Sequence, residues 1–168
     1  DLYLVHIPNP RIPIEETMQA MDQLQDEGII RHIGVSNFTA TQLEQAQGCA
    51  RHPITVNQVQ YNLLTRNKMG HYIAHVEEDV IPCCLAHDVL VMAYEPLARG
   101  RLVSPAPRVV AKIGEKYGKT PAQLAINWLI TKPGIATIAK SSNEEHLKEN
   151  LGALGWQLEA EDLALLDA

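Results

Sequence analysis

No stretch of this chain is apolar for long enough to cross a bilayer, since its strongly hydrophobic runs are strand-sized and fall well short of the roughly 20 residues a membrane span needs. Positive charge is also in short supply. Lys and Arg number 14 against 20 Asp and Glu, a formal net charge of -6. No basic stripe gathers the cations that would displace counterions from a nucleic-acid backbone, so neither membrane nor nucleic acid is an expected partner. Cys49, Cys83 and Cys84 have no C-x-x-C spacing, and their odd number builds no disulfide framework. A reducing compartment, the cytoplasm, is therefore expected. The absence of a G-x-G-x-x-G removes a Rossmann-type dinucleotide turn.

What is present is periodic. DLYLVHI, IGVSNF, VNQVQYN, VLVMAYEPL and IATIAKSS are five short apolar runs, each ending in polar or glycine-bearing residues and each followed by a helix-like stretch. Strands covered on both faces read as near-continuous apolar runs, and strand–helix–strand succession forces parallel pairing. The fold expected is α/β: an incomplete (β/α)8 TIM barrel of about five parallel β/α units, with residues 1–168 as a single domain. In such barrels functional residues collect at the strand C-termini. Here those are His6, Ser36, Asn37, Gln58, Tyr94, Lys140 and Ser141.

Strands are predicted at residues 2–7, 31–35, 54–61, 89–94 and 135–139. Ile14, Met18, Met21 and Leu24 make one helical stripe over 14–27, with Gly28 as its C-terminal cap. Thr39 or Thr41 caps a helix running to about Ala50, and an amphipathic stretch covers Lys68 to His87. Further helices are expected over 108–117, 122–131 behind Thr120 and Pro121, 144–151, and within 156–168. Trp128, Leu129 and Trp156 are candidate core residues.

DLYLVHIP, IRHIGVSNF, VNQVQYNLL, AYEPLARGRL and IAKSSNEEHLKEN, in this order and spacing, resemble the aldo-keto reductases from the fourth barrel strand onward. The resemblance implies reduction of aldehydes or ketones by hydride transfer from NADPH, with a small carbonyl compound as substrate. It also implies a catalytic Asp, Tyr, Lys and His, of which His6 alone matches here. A tyrosine whose pKa is ordinarily about 10 needs a neighbouring lysine to act as an acid near neutrality. His6 by itself can orient a carbonyl but not replace three partners, so this chain alone is expected to be inactive.

By the same resemblance, Ser36, Asn37 and Gln58 hold the nicotinamide carboxamide and Tyr94 stacks under its ring. Leu97 and Arg99 lie near the pyrophosphate, Lys140, Ser141 and Ser142 meet the adenosine 2′-phosphate, and Asn143 is a further cofactor-binding candidate. Glu149 and Asn150 contact the adenine. His146 stands where many NADPH-preferring members carry Arg, whose permanent charge and planar fork suit phosphate better. NADPH with NADH tolerated is the resulting expectation.

Plainer readings compete at several of these positions. His6 in isolation reads as a hydrogen-bonded strand-end histidine, Tyr94 as a core aromatic, and Lys140 to Asn143 as a loop and helix cap. His71 and His75 are four apart beside Glu77 and Glu78, but no third ligand has suitable spacing, and no metal site is expected. Cys83 and Cys84 read as small buried apolar side chains. Asp1 stands directly at a strand, which implies preceding sequence, and five units leave two open strand edges for that sequence or a second chain to pair with. A dinucleotide-binding or oligomerisation module without catalysis is the alternative reading.

Overall fold

Strand and helix alternate as the apolar periodicity predicts. The computed structural model describes residues 1–168 in the order β1 (Leu2–Val5), α1 (Ile14–Asp26), β2 (His32–Ser36), α2 (Ala40–Cys49), β3 (Ile54–Gln60), α3 (Ile81–Ala86), β4 (Leu90–Tyr94), α4 (Arg108–Tyr117), α5 (Pro121–Ile130), β5 (Ile135–Ile138), α6 (Glu144–Leu151) and α7 (Ala160–Asp167). The strands form one sheet in the order β1-β2-β3-β4-β5. Each strand is followed by helix, so this is the expected α/β arrangement of parallel β/α units. The chain divides into two compact units, Asp1–Val59 with Asn67–Met92 and Gln60–Arg66 with Ala93–Ala168.

In the first unit, β2 pairs in parallel with both β1 and β3. Met18, Ile33, Val35, Phe38, Leu43 and Val59 are buried at its core. Helix α1 closes as its sequence predicts. Gly28 adopts φ +71°, its N–H donates to the Gln25 carbonyl (3.0 Å), and the Ile29 N–H donates to the Leu24 carbonyl (3.0 Å). This is the double bond pattern that terminates a helix through a left-handed glycine. Thr39 caps α2 by accepting from the Gln42 N–H while the Gln42 side chain bonds back to Thr39.

Gly34 in β2 is closely covered, so a larger residue there would force its neighbours to shift. A Cβ there would stand 2.9 Å from Leu4 Cγ and 3.2 Å from Leu2 Cδ1 across the strand pair. Asp22 falls four residues after Met18, on the buried stripe of α1, and is 1% exposed. Its carboxylate accepts from the backbone N–H groups of Arg51 (2.9 Å) and His52 (3.1 Å), which fixes the turn that delivers β3.

Lys68 to His87 is not one helix. His75 sits in the left-handed region (φ 53°), a π-helical turn spans Val76–Val80, and only Ile81–Ala86 is α-helical. Pro82 is the physical reason for the irregular start: it has no N–H to continue an α-helical ladder from the preceding turn. The Asn67 side chain accepts from the Glu77 and Glu78 N–H groups, anchoring that turn from outside it.

In the second unit Thr120 and Gln123 repeat the reciprocal cap at the start of α5. Trp128 is 0% exposed, packs on Tyr61 with ring centroids 5.3 Å apart, and donates its Nε1–H to Asp167 (2.8 Å). Trp156, expected in the core, is only half-buried. It lies against Tyr117 (5.4 Å) and donates to the Gly152 carbonyl (3.1 Å).

Helices α4 and α7 are clamped through one carboxylate. Asp162 accepts from Lys116 Nζ (2.8 Å) and the Tyr117 hydroxyl (2.6 Å). The Lys116 and Tyr117 hydrogen bonds hold the Asp162 carboxyl below its ordinary pKa, and those from Lys116 to Asp162 and Glu159 raise the ammonium. Asp162 therefore stabilises the fold fully above the unfolded aspartate value of about 3.9, and this contribution is lost as pH falls through its lower folded value. Urea midpoints of wild type and Asp162→Asn measured against pH should differ near neutrality and converge on acidification. Parallel curves would remove the clamp as the cause.

Candidate functional site

A polar rim forms at the ends of β1, β2 and β3 in the first unit. Asn37, immediately after β2, adopts φ 60°, a left-handed conformation that asparagine tolerates better than most residues. The Gln58 carbonyl accepts from both the Asn37 N–H (2.8 Å) and the Ser36 hydroxyl (2.9 Å). Asn37 Nδ2 donates to the His6 carbonyl (3.1 Å) and to Ser36 Oγ (3.0 Å). Three strand ends are thus laced together, with Ser36 2% and Asn37 3% exposed.

These bonds are made by groups that the sequence marks as candidate ligand contacts, so Ser36 and Asn37 first of all build the rim. The Gln58 amide is different: it is half-buried and makes no hydrogen bond within the protein. It offers a donor and an acceptor together, as recognition of a carboxamide requires. β1 ends at Val5, so His6 lies just beyond the strand, with its carbonyl held by Asn37 and its side chain exposed. Leu2 and Leu4 share one face of β1, where both cover Gly34. Tyr3, of opposite parity, is 54% exposed.

A second constellation lies wholly in the other unit. After Tyr94 ends β4, Glu95, Ala98, Arg99 and Gly100 all adopt positive φ (55°, 48°, 57° and 88°). Non-glycine residues persist there only where surrounding structure over-determines them. Here the determinant is Glu95. Its carboxylate accepts from Gln60 Nε2 (2.6 Å) and Arg99 Nε (2.8 Å), while its carbonyl accepts from Asn62 Nδ2 (3.0 Å). The sequence reading missed Glu95, Gln60 and Asn62, because a glutamate in a loop gives no sign of a left-handed backbone.

The tightened loop faces β5, which is joined to β4 by the Thr137 hydroxyl donating to the Ala93 carbonyl (2.9 Å). Between them is a cleft of about 590 Å³ lined by Tyr94, Glu95, Leu97, Arg99, Ile138 and Lys140 among others. It therefore brings together an aromatic ring, apolar side chains and two cations. The Lys140 ammonium is exposed and has no ion-pair partner, whereas Arg99 is shared with Glu95. A flat ring beside cationic groups matches a ligand that joins aromatic rings to phosphates.

Beyond Lys140, the Ser141 hydroxyl accepts from the Asn143 N–H (3.1 Å), and Asn143 caps α6 by accepting from the Glu145 N–H (2.8 Å). Ser142 and His146 are exposed. Asn150 lines a neighbouring cavity of about 480 Å³ with Ile126, Thr137, Leu147 and Leu151, and Ala139 borders both this cavity and the cleft. The Glu149 carbonyl accepts from Gln123 (3.0 Å). The second-unit candidates thus follow the end of β4, the loop after it, the end of β5 and the length of α6.

Other reactive groups are muted. Burial pushes the Cys84 thiol up to about 12, and partial desolvation raises Cys49 and Cys83, so none favours a nucleophilic thiolate. Lys116, Tyr117 and Asp162 have the residue types of an acid-catalytic set. However, desolvation, then the bond to Asp162, raises the Tyr117 pKa, the reverse of what a proton donor near neutrality needs.

Comparison with known proteins identifies the family. The model of the aldo/keto reductase family matches residues 1–168, and the chain belongs to that family. It is 33% identical over 173 residues to the methylglyoxal reductase DkgB of Escherichia coli O157:H7, covering 99% of this chain and 60% of that protein. It is 32% identical over 169 residues to the glyoxal reductase of Bacillus subtilis (strain 168), covering 100% of this chain and 56% of that protein. Among solved structures, a Klebsiella pneumoniae aldo-keto reductase in complex with NADPH superposes with a TM-score of 0.87 at 35% identity, over 99% of this chain and 57% of that one. A thermostable aldo-keto reductase bound to the inhibitor epalrestat gives 0.91 at 40% identity, over 99% and 58%. The chain thus spans little more than half the length of these relatives.

The rim makes its own prediction. Asn37→Ala removes the bonds to His6 and Ser36 and strains a left-handed position, each costing roughly 1 kcal/mol or more. Asn37→Gly loses the bonds but relieves the strain. Urea denaturation should therefore rank wild type above Asn37→Gly, and Asn37→Gly above Asn37→Ala. Equal losses would mean that the backbone conformation at this position carries no cost.

Proposed function

We propose that this chain is the cofactor-binding part of an NADPH-dependent aldo-keto reductase acting on small aldehydes or ketones in the cytoplasm. The observation that supports this most strongly is the cleft in which Tyr94, Leu97, Arg99 and Lys140 converge. Its donor set fits the group. The Tyr94 ring gives a flat apolar surface for the nicotinamide, and Arg99 and Lys140 supply charge for phosphates. Lys140, Ser141 and Ser142 are assigned to the 2′-phosphate, with Asn143 beside them as a further cofactor contact, and Glu149 and Asn150 to the adenine. His146 lacks the planar fork with which an arginine would clasp a phosphate, so the preference for NADPH over NADH rests mainly on Lys140.

Ser36, Asn37 and Gln58 are assigned to the nicotinamide carboxamide, with the unpartnered Gln58 amide as the principal contact. When bound, NADPH supplies the hydride. His6 is the one member of the catalytic set in these residues, and its exposed imidazole would orient a carbonyl oxygen through a hydrogen bond. Protonation of the developing alkoxide requires a preorganised acid. Tyr117 is unsuited to that role, so these 168 residues by themselves are expected to bind cofactor with negligible turnover. Small dicarbonyls are the substrates to try first in the whole protein, because the named relatives are glyoxal and methylglyoxal reductases.

Calorimetric titration with NADPH and NADH tests this reading. Lys140→Ala should weaken NADPH about tenfold or more, the scale of a lost charge-assisted contact, and leave NADH nearly unchanged. Tyr94→Ala should weaken both. Absence of NADPH binding by the wild type, or equal losses for the two dinucleotides in Lys140→Ala, would overturn the assignment. Binding by the full protein without reduction of any carbonyl would favour a dinucleotide-binding module instead.

A further inference from the structure

Away from the cleft, three side chains of metal-ligating type meet on the helical side of the first unit. Cys83 in α3 and His87 at its C-terminal cap are four residues apart, a spacing that aligns side chains along one helix face. Glu44 comes from α2. The Cys83 Sγ, a His87 ring nitrogen and a Glu44 carboxylate oxygen all lie within 4.8 Å of one another. Tetrahedral Zn(II), with bonds of about 2.0 to 2.3 Å, sets its ligand atoms roughly 3.3 to 3.8 Å apart. Small side-chain rotations would close the set to that size.

Nothing in the protein competes for these groups. The Glu44 carboxylate and the His87 ring make no hydrogen bond or ion pair, and the Cys83 thiol has only a weak contact with the Ala40 carbonyl (3.7 Å). Glu44 and His87 are exposed and Cys83 is half-buried, so an ion can arrive and keep a water. A groove of about 690 Å³ leads to Cys83 and is lined by Glu44, His75, Glu78 and Asp79, among others. Its three carboxylates give an approaching cation a favourable field.

We propose that Glu44, Cys83 and His87 bind one Zn(II) ion, with water as the fourth ligand, tying α2 to α3. A thiolate, an imidazole and a carboxylate form a borderline-soft set that suits Zn(II) rather than Mg(II) or Ca(II). Binding exchanges the Cys83 S–H proton, released to solvent, for a sulfur–metal bond, with no change of oxidation state. The site does not depend on the dinucleotide reading. It escaped the sequence because Glu44 is remote in sequence from the C-x-x-x-H pair, whereas His71 and His75 offered a more conspicuous spacing.

Co(II) titration of the purified protein tests the proposal. The expected result is a thiolate-to-Co(II) charge-transfer band with the visible bands of tetrahedral cobalt, discharged by Zn(II). Cys83→Ser should abolish the charge-transfer band, while Cys49→Ser should keep it. Glu44→Ala and His87→Ala, both at exposed positions that leave the core intact, should weaken binding by about tenfold or more, since even groups that merely support metal ligands are worth that much. The proposal is overturned if wild type shows no such band, if the band survives Cys83→Ser, or if Glu44→Ala and His87→Ala bind as wild type does. It is equally overturned if a His71→Ala/His75→Ala variant loses the band.

Discussion

The chain reverses the sign of its backbone φ directly after two strands, at Asn37 behind β2 and at Glu95 behind β4. Neither residue is glycine, so each conformation has a cost that its surroundings must offset. In the first unit the offset comes from the Gln58 and His6 carbonyls, and in the second from Gln60, Asn62 and Arg99. Without these reversals Ser36 and Tyr94 would continue along an extended chain. With them, the last side chain of each strand is left at the strand end and the backbone turns toward its helix. Both candidate constellations depend on that local reversal, each within its own unit.

Much of the fold was legible because caps, stripes and breakers agree with one another. The ranges expected for α4 and α6 coincide with Arg108–Tyr117 and Glu144–Leu151, and Thr120 caps α5 as its sequence indicates. Lys68 to His87 was legible only as an amphipathic stretch, because apolar residues at helical spacing say nothing of a left-handed His75 or of the amide missing at Pro82. Asp22 was a different kind of miss. It lies on the buried stripe of α1, and a carboxylate there implies buried donors, which the Arg51 and His52 amides turn out to be.

The candidate site was legible as a set of strand ends, and less so as a set of roles. Ser36 and Asn37 read as ligand contacts, yet both are buried and use their polar atoms to fasten neighbouring strands. Gln58 and Lys140 retain uncommitted polar groups and remain the better candidates for contact with a ligand. Glu95 was invisible in advance because its importance lies in a carboxylate shared between Gln60 and Arg99. That sharing appears only once the strand ends and the loop are folded.

The two tryptophans give the molecule an unequal optical signature. Trp128, fully buried, and Trp156, half-buried beside Tyr117, both belong to the second unit. Indole emission therefore reports the packing of Trp128 between α5 and α7 and of Trp156 beside α4, two environments superimposed in a single spectrum. The first unit contains only Tyr3 and Tyr72 among strong near-ultraviolet emitters, both largely exposed. If it loosened independently, indole fluorescence would stay silent while far-ultraviolet dichroism changed.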